Sequence, residues 1–133
     1  MRLGVALLVS CPFVLASCTQ GSSPATTFPA LYGNYSGTLS DAVHGTVPIT
    51  AALQQSGPSV GGTIVQAAIP NLTGGVSWRV SLSGAVTGTI VLTSAGLTCA
   101  FNTSAQVSGT TVSGSYTPLS GCAGESGSFQ LMR

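Results

Sequence analysis

One histidine, two acidic side chains and a large population of serines and threonines are what this 133-residue chain offers for acid–base or nucleophilic chemistry. His44 follows Asp41 by three residues, so a Ser-His-Asp relay is arithmetically available. Such relays also need a positioned nucleophile, and no Gly-x-Ser-x-Gly elbow leads from a strand into a helix. Asp41 and Glu125 would have to converge for paired-carboxylate chemistry, and both fall in apparent turns. The reading adopted for His44 and Asp41 is a solvated turn in which the aspartate makes local hydrogen bonds. No catalytic residue, metal site or cofactor is assigned, and the chain is not expected to be an enzyme, because its titratable groups are too few to populate an active site. The aromatic residues are the other candidates. Trp78, Tyr35, Phe101 and Tyr116 are the side chains that could line an apolar ligand site. Trp78 shares an alternating face with Val80 and Leu82, which favours core packing for it, whereas Tyr32 is expected to face outward beside Asn34.

Composition narrows the function classes. Only 4% of residues are charged, against roughly 25% in an average soluble domain, while 44% are hydrophobic. There is no lysine; Arg2, Arg79 and Arg133 are the only basic residues besides His44, and the formal net charge is +1. Nucleic-acid binding needs clustered Lys and Arg, and disorder needs high net charge with few apolar residues, so both are excluded. With 18 Gly, 7 Pro and many hydroxyl and β-branched residues, little sequence is suited to long helices.

The chain opens with Met1-Arg2 and a mostly apolar run, Leu3 to Ala16, broken by Ser10, Cys11 and Pro12. This falls short of the roughly 20 apolar residues that span a ~30 Å hydrocarbon core, and the order positive, apolar, small is that of a secretory signal. Leu15-Ala16-Ser17-Cys18 resembles the lipobox of bacterial lipoproteins. The resemblance implies a signal peptide over 1–17, cleavage before Cys18, and acylation of that cysteine. It further implies a membrane partner and a lipid-anchored place in the cell envelope. In lipoproteins of two-membrane bacteria an aspartate at the place of Thr19 favours inner-membrane retention, so the resemblance implies the outer membrane or cell surface. Acyl chains contribute about 0.8 kcal/mol per buried CH₂, so two or more would hold the protein stably. Once Cys11 departs with the signal peptide and Cys18 is acylated, Cys99 and Cys122 remain. In an exported protein that pair is most simply a disulfide, contributing about 3 kcal/mol through loop closure. The sequons at Asn34, Asn71 and Asn102 carry little meaning in a bacterial setting.

Residues 18–29 comprise the acylated cysteine and a Ser/Thr/Gly/Pro linker, which as a coil reaches roughly 17 to 20 Å from the lipid. In the mature domain Arg79 and Arg133 balance Asp41 and Glu125, so no net electrostatic attraction to an anionic surface is expected. From about Ala30 to the C-terminus apolar residues recur with period two, as in Val47, Ile49, Ala51, Leu53, which predicts half-buried strands. The remaining predicted strands run near Leu31 to Leu39, Gly61 to Ile69, Val76 to Leu82, Val86 to Thr93, Leu97 to Thr103, Val107 to Thr117 and Ser126 to Arg133. Turn clusters separate them, among them Ser40 to Gly45 and Pro70 to Gly75.

A short unit recurs irregularly, for example Ser36-Gly37-Thr38-Leu39, Thr87-Gly88-Thr89-Ile90 and Ser126-Gly127-Ser128-Phe129. In each, the glycine permits a bend or close approach, the hydroxyl residue faces out, and the branched or aromatic residue packs in. Short loops favour an antiparallel up-and-down meander, and about eight strands without edge lysines suit a small closed barrel; a β-sandwich is the alternative. Gly33-Asn34-Tyr35 on the first strand and Arg133 at the end of the last resemble a degraded calycin pattern, that of lipocalins and avidins. The resemblance implies barrel closure through Gly33, Tyr35 and Arg133, and room for one small apolar ligand. Inward Gly33, Gly37, Ala51, Gly88 and Gly114 would allow a cavity. The function expected is a non-catalytic binding or structural module, partnered by a small apolar ligand or an envelope protein. The alternative is a protease inhibitor or other protein-binding module, using the Ser40 to Gly45 or Pro70 to Gly75 loop.

Overall fold

A computed structural model describes residues 27–67 and 71–133. The signal segment, the lipobox and Cys18 lie outside the described residues. Eight strands follow one another: β1 (Gly33–Asp41), β2 (Gly45–Ser56), β3 (Ser59–Gln66), β4 (Leu72–Val80), β5 (Ala85–Ser94), β6 (Leu97–Ser108), β7 (Thr111–Ser120) and β8 (Gly127–Met132). Each pairs antiparallel with its sequence neighbour, and β1 pairs with β8 over Ser36–Asp41, which closes the sheet into a barrel. That pairing decides between barrel and sandwich, since a sandwich leaves β1 and β8 on open edges.

The period of two in the sequence becomes an inside and an outside. In β2, Ile49, Ala51 and Leu53 are buried while Thr50, Ala52 and Gln54 are exposed. In β4, Val76, Trp78 and Val80 point in, and Ser77 and Arg79 point out. An apolar interior under a hydroxyl-rich exterior reverses the arrangement of a membrane-spanning barrel.

The recurring glycines explain how a short sheet bends this tightly. A Cβ on Gly37 would run into the Gln130 carbonyl, on Gly62 into that of Ala52, on Gly74 into that of Val91, and on Gly114 into that of Ser104. Gly88 and Gly127 stand in the same relation to Ser77 and Ser40. These close approaches fall on the β8–β1, β2–β3, β4–β5 and β6–β7 seams, every second one around the barrel. A closed sheet needs sharp local bends, and a residue without a Cβ lets one strand press onto its neighbour's backbone there.

Several boundaries differ from the sequence reading. Gly74 and Gly75, expected in a turn, lie inside β4, because Gly74 serves one of these bends. Leu82, expected inward beside Trp78 and Val80, has left the strand for the Ser81–Gly84 turn and is 46% exposed. β6 runs on to Ser108, so the hairpin turn falls at Gly109, at φ +59°, rather than ahead of Val107. The turn between β5 and β6 places Ala95 at φ 42° and Gly96 at φ 89°, a left-handed pair suited to the strand twist.

Candidate functional site

The predicted aromatic set lies inside the barrel. Trp78, Tyr35, Phe101 and Tyr116 are all buried. Trp78 stacks on Phe129 with ring centroids 5.8 Å apart and planes 20° from parallel, and Phe101 meets Tyr116 edge-on at 5.3 Å. Small inward residues do not hollow out the space, for the Cβ directions of Gly37, Gly88 and Gly114 end on neighbouring backbone. One polar atom in this interior stands out: the Trp78 indole Nε1–H is buried with no hydrogen-bond partner. Thr103, also inward, donates its hydroxyl to the Gly88 carbonyl at 3.0 Å.

Because strands alternate in direction, the two barrel ends are built from different segments. One end gathers the β2–β3, β4–β5 and β6–β7 turns, the start of β1 and the end of β8. A strap from Thr27 to Tyr32 enters there. Leu31 is wholly buried, its backbone N–H donating to Gln55 Oε1 at 2.6 Å, and Gln55 Nε2 donates to the carbonyls of Pro29 and Gly57, each at 3.0 Å. Nothing in the Gln54-Gln55 pair marks the second glutamine as this clasp. Arg133, just past β8, donates from Nη1 to the Tyr32 carbonyl at 3.0 Å and lays its guanidinium 5.3 Å from the Tyr32 ring centre. Its Cδ lies 3.3 Å from where a Gly33 Cβ would be. Of the three residues expected to close the barrel, Gly33 and Arg133 are thus neighbours, while the closure itself is made by the pairing of Ser36–Asp41 with Gly127–Met132. Tyr35 points inward, its hydroxyl pKa raised by burial against the lowering influence of Arg133.

The opposite end carries the β1–β2, β3–β4, β5–β6 and β7–β8 connections, and with them both acids. Asp41 is not simply a solvated turn residue, since its side chain is 3% exposed. Its Oδ1 accepts the backbone N–H groups of Val43 at 2.7 Å and His44 at 2.5 Å, and its Oδ2 accepts the Tyr116 hydroxyl at 3.2 Å. Burial pushes the Asp41 pKa up, but these hydrogen bonds and the charge of His44 outweigh it and hold the carboxyl below its ordinary value. Tyr116 moves the other way: burial first, then Asp41 and Glu125, raise its hydroxyl pKa. The local half of this cluster is legible as an Asx turn; the Tyr116 bond joins residues 75 apart and has no sequence signal. His44 Nδ1 lies 3.5 Å from Asp41 Oδ2, and among the described residues no serine hydroxyl is hydrogen-bonded to it. That geometry supports a pinned turn, with no nucleophile set against a base.

At the same end Cys99 and Cys122 form a disulfide, with Cα atoms 5.2 Å apart, tying β6 to the β7–β8 connection. The Glu125 carboxylate and the two sulfurs lie within 4.8 Å of one another. The bridge occupies the sulfurs that a metal would need as thiolates, so the trio is no metal centre while oxidised. On the outer wall, a depression of about 380 Å³ lies over β1, β2 and β3, lined by Asn34, Ser36, Thr50, Thr63 and Arg133 among others. Its lining can offer hydrogen bonds and one cation, and no acid–base pair.

No protein-family model and no curated protein sequence matches the chain. Among solved structures it is similar to a redesigned β-barrel, with a TM-score of 0.65 and 15% identity over 77% of this chain and 90% of that one. At that identity the likeness concerns the fold alone.

Proposed function

We propose that the chain is a lipid-anchored cell-envelope protein whose β-barrel is a non-catalytic module working through its outer surface. The observation that carries this reading is Leu15-Ala16-Ser17-Cys18 behind a short apolar run, placed ahead of a domain whose two remaining cysteines are bridged. A bridged pair is at home in an oxidising envelope and not in the cytosol. An interior filled by Trp78, Phe129, Phe101 and Tyr116 weighs against the carriage of an apolar ligand and for surface contacts.

Cys18→Ser is the test. It is expected to abolish labelling by radioactive palmitate and to leave an unprocessed precursor; unchanged labelling overturns the anchor. A second reading, a protein-binding or inhibitory module, is favoured by the β1–β2 turn. Its tip residue Val43 is 61% exposed while Asp41 pins the backbone on both sides of it, a preorganised loop of the kind binding rewards. The Pro70 to Gly75 loop is a poorer candidate, because β4 takes up everything from Leu72 onward.

A further inference from the structure

The arginine-bearing end of the barrel carries a chemistry that the net charge hides. Arg79 is the penultimate residue of β4 and points outward beside the β4–β5 turn; Arg133 follows β8 at the same end. Asp41 closes β1 and Glu125 sits in the β7–β8 connection, both at the other end. A domain with balanced charges is therefore polarised along its axis.

Exposed apolar residues differ between the ends in the same sense. Beside the arginines stand two aromatics, Phe28 and Tyr32, exposed by 36% and 58%, together with Leu82 and Met132. Beside the acids the exposed large apolar residues are aliphatic: Val43, Leu97 and Leu119. Aromatic rings settle at the level of lipid headgroups, and arginines are drawn to anionic ones. The described chain also enters at this end. Nine peptide steps separate Cys18 from Thr27, at most about 30 Å even fully extended, so an acylated Cys18 would keep this end near the bilayer.

We propose that this end, with Arg79, Arg133, Phe28, Tyr32 and Leu82, is a docking face for an anionic lipid surface, holding the barrel against the bilayer with its acidic end outward. The proposal rests on the lipid-anchor reading only for the nearness of the membrane. At about tenfold in docked population per 1.4 kcal/mol and roughly 1 kcal/mol per arginine, the two guanidinium groups favour the docked state about thirtyfold.

The protein expressed from its whole sequence, isolated from the membranes of the expressing bacterium, is reconstituted with excess vesicles of phosphatidylcholine alone or mixed with phosphatidylglycerol. Amide hydrogen exchange is followed in the Ser81–Gly84 and Ser94–Leu97 turns, one at each end. The expected result is exchange about tenfold slower at Ser81–Gly84 in the phosphatidylglycerol mixture, unchanged exchange at Ser94–Leu97, and loss of the difference in the Arg79→Gln/Arg133→Gln variant or in high salt. Equal exchange at Ser81–Gly84 in the two lipids, protection at the acidic end instead, or protection that survives the double substitution each overturns it. An acidic protein as the true partner would show itself as equal exchange in both lipids. Palmitate labelling, compared with Cys18→Ser, reads the anchor separately: absence of Cys18-dependent label sinks the anchor, while docking is still decided by the exchange data.

Discussion

The two ends of the barrel are held by different means. At the strap end a segment outside the strands reaches in: Leu31 fills the mouth, Gln55 clasps its backbone, and Arg133 returns over Tyr32. At the acidic end the chain is tied to itself, covalently through Cys99–Cys122 and by the Asp41–Tyr116 hydrogen bond. A plug held by packing can be weakened by shaving carbon atoms, whereas a cross-link acts largely by restricting the unfolded chain. Small barrels bury limited apolar area, so one end closed by side chains and the other by a bond is a physically economical division.

Breaking the covalent tie is expected to have the largest effect. Cys99→Ser/Cys122→Ser, which opens a loop with a sequence separation of 23, should lower unfolding stability by about 3 kcal/mol in urea denaturation. Exchange should rise first around Ser120–Glu125; a uniform rise through both ends would mean that they do not behave as separate units. Leu31→Ala follows at about 2.5 kcal/mol, toward the lower part of the leucine-truncation range because the strap can settle into the space. Its signature is faster exchange at the Ser81–Gly84 turn with the β7–β8 connection unaffected.

Tyr116→Phe should cost about 1.5 kcal/mol, the strength of a hydrogen bond to a charged group. The same pair sets the pH response. The folded-state pKa of Asp41 is lowered, so its contribution is present above the ordinary carboxylate range and is lost as pH falls through the folded value. Tyr116 is raised, so its contribution is complete below about pH 10, the ordinary tyrosine value, and is lost at higher alkalinity as the folded value is approached. Asp41→Asn should flatten the acid limb of stability against pH; an undiminished slope would assign that limb to another group. The smallest effect concerns the β5–β6 turn, where Ala95 occupies φ 42°. Ala95→Asn should add about 0.5 kcal/mol, because asparagine tolerates the left-handed region better, and a loss of stability would count against the turn geometry.

Much of the architecture was legible from short-range pattern. The alternation in Val47 to Leu53 and in Val76 to Val80 marked strands and their inner faces, and the Gly-Thr and Gly-Ser units located residues that turn out to sit at the bends. Misplaced boundaries arose where one residue type serves two purposes. Gly74-Gly75 looks like a turn in sequence yet serves a bend within β4, and only the nearby Val91 carbonyl distinguishes the cases. The site was less legible. Balanced charge suggested an electrically bland domain, because a sum over residues contains no positions.

Strand content, their approximate number and the inner and outer faces were determined by the sequence itself, since each depends on local periodicity or turn residues; the pairing of Cys99 with Cys122 was legible only under the assignment of Cys11 to a signal segment and Cys18 to acylation. Tertiary structure alone decided the β1–β8 closure, the Asp41–Tyr116 bond across 75 residues, the Arg133–Tyr32 contact across 101, and the separation of arginines from acids. These depend on register and strand direction summed around a closed sheet, and a local pattern carries no record of which distant strand will arrive beside it.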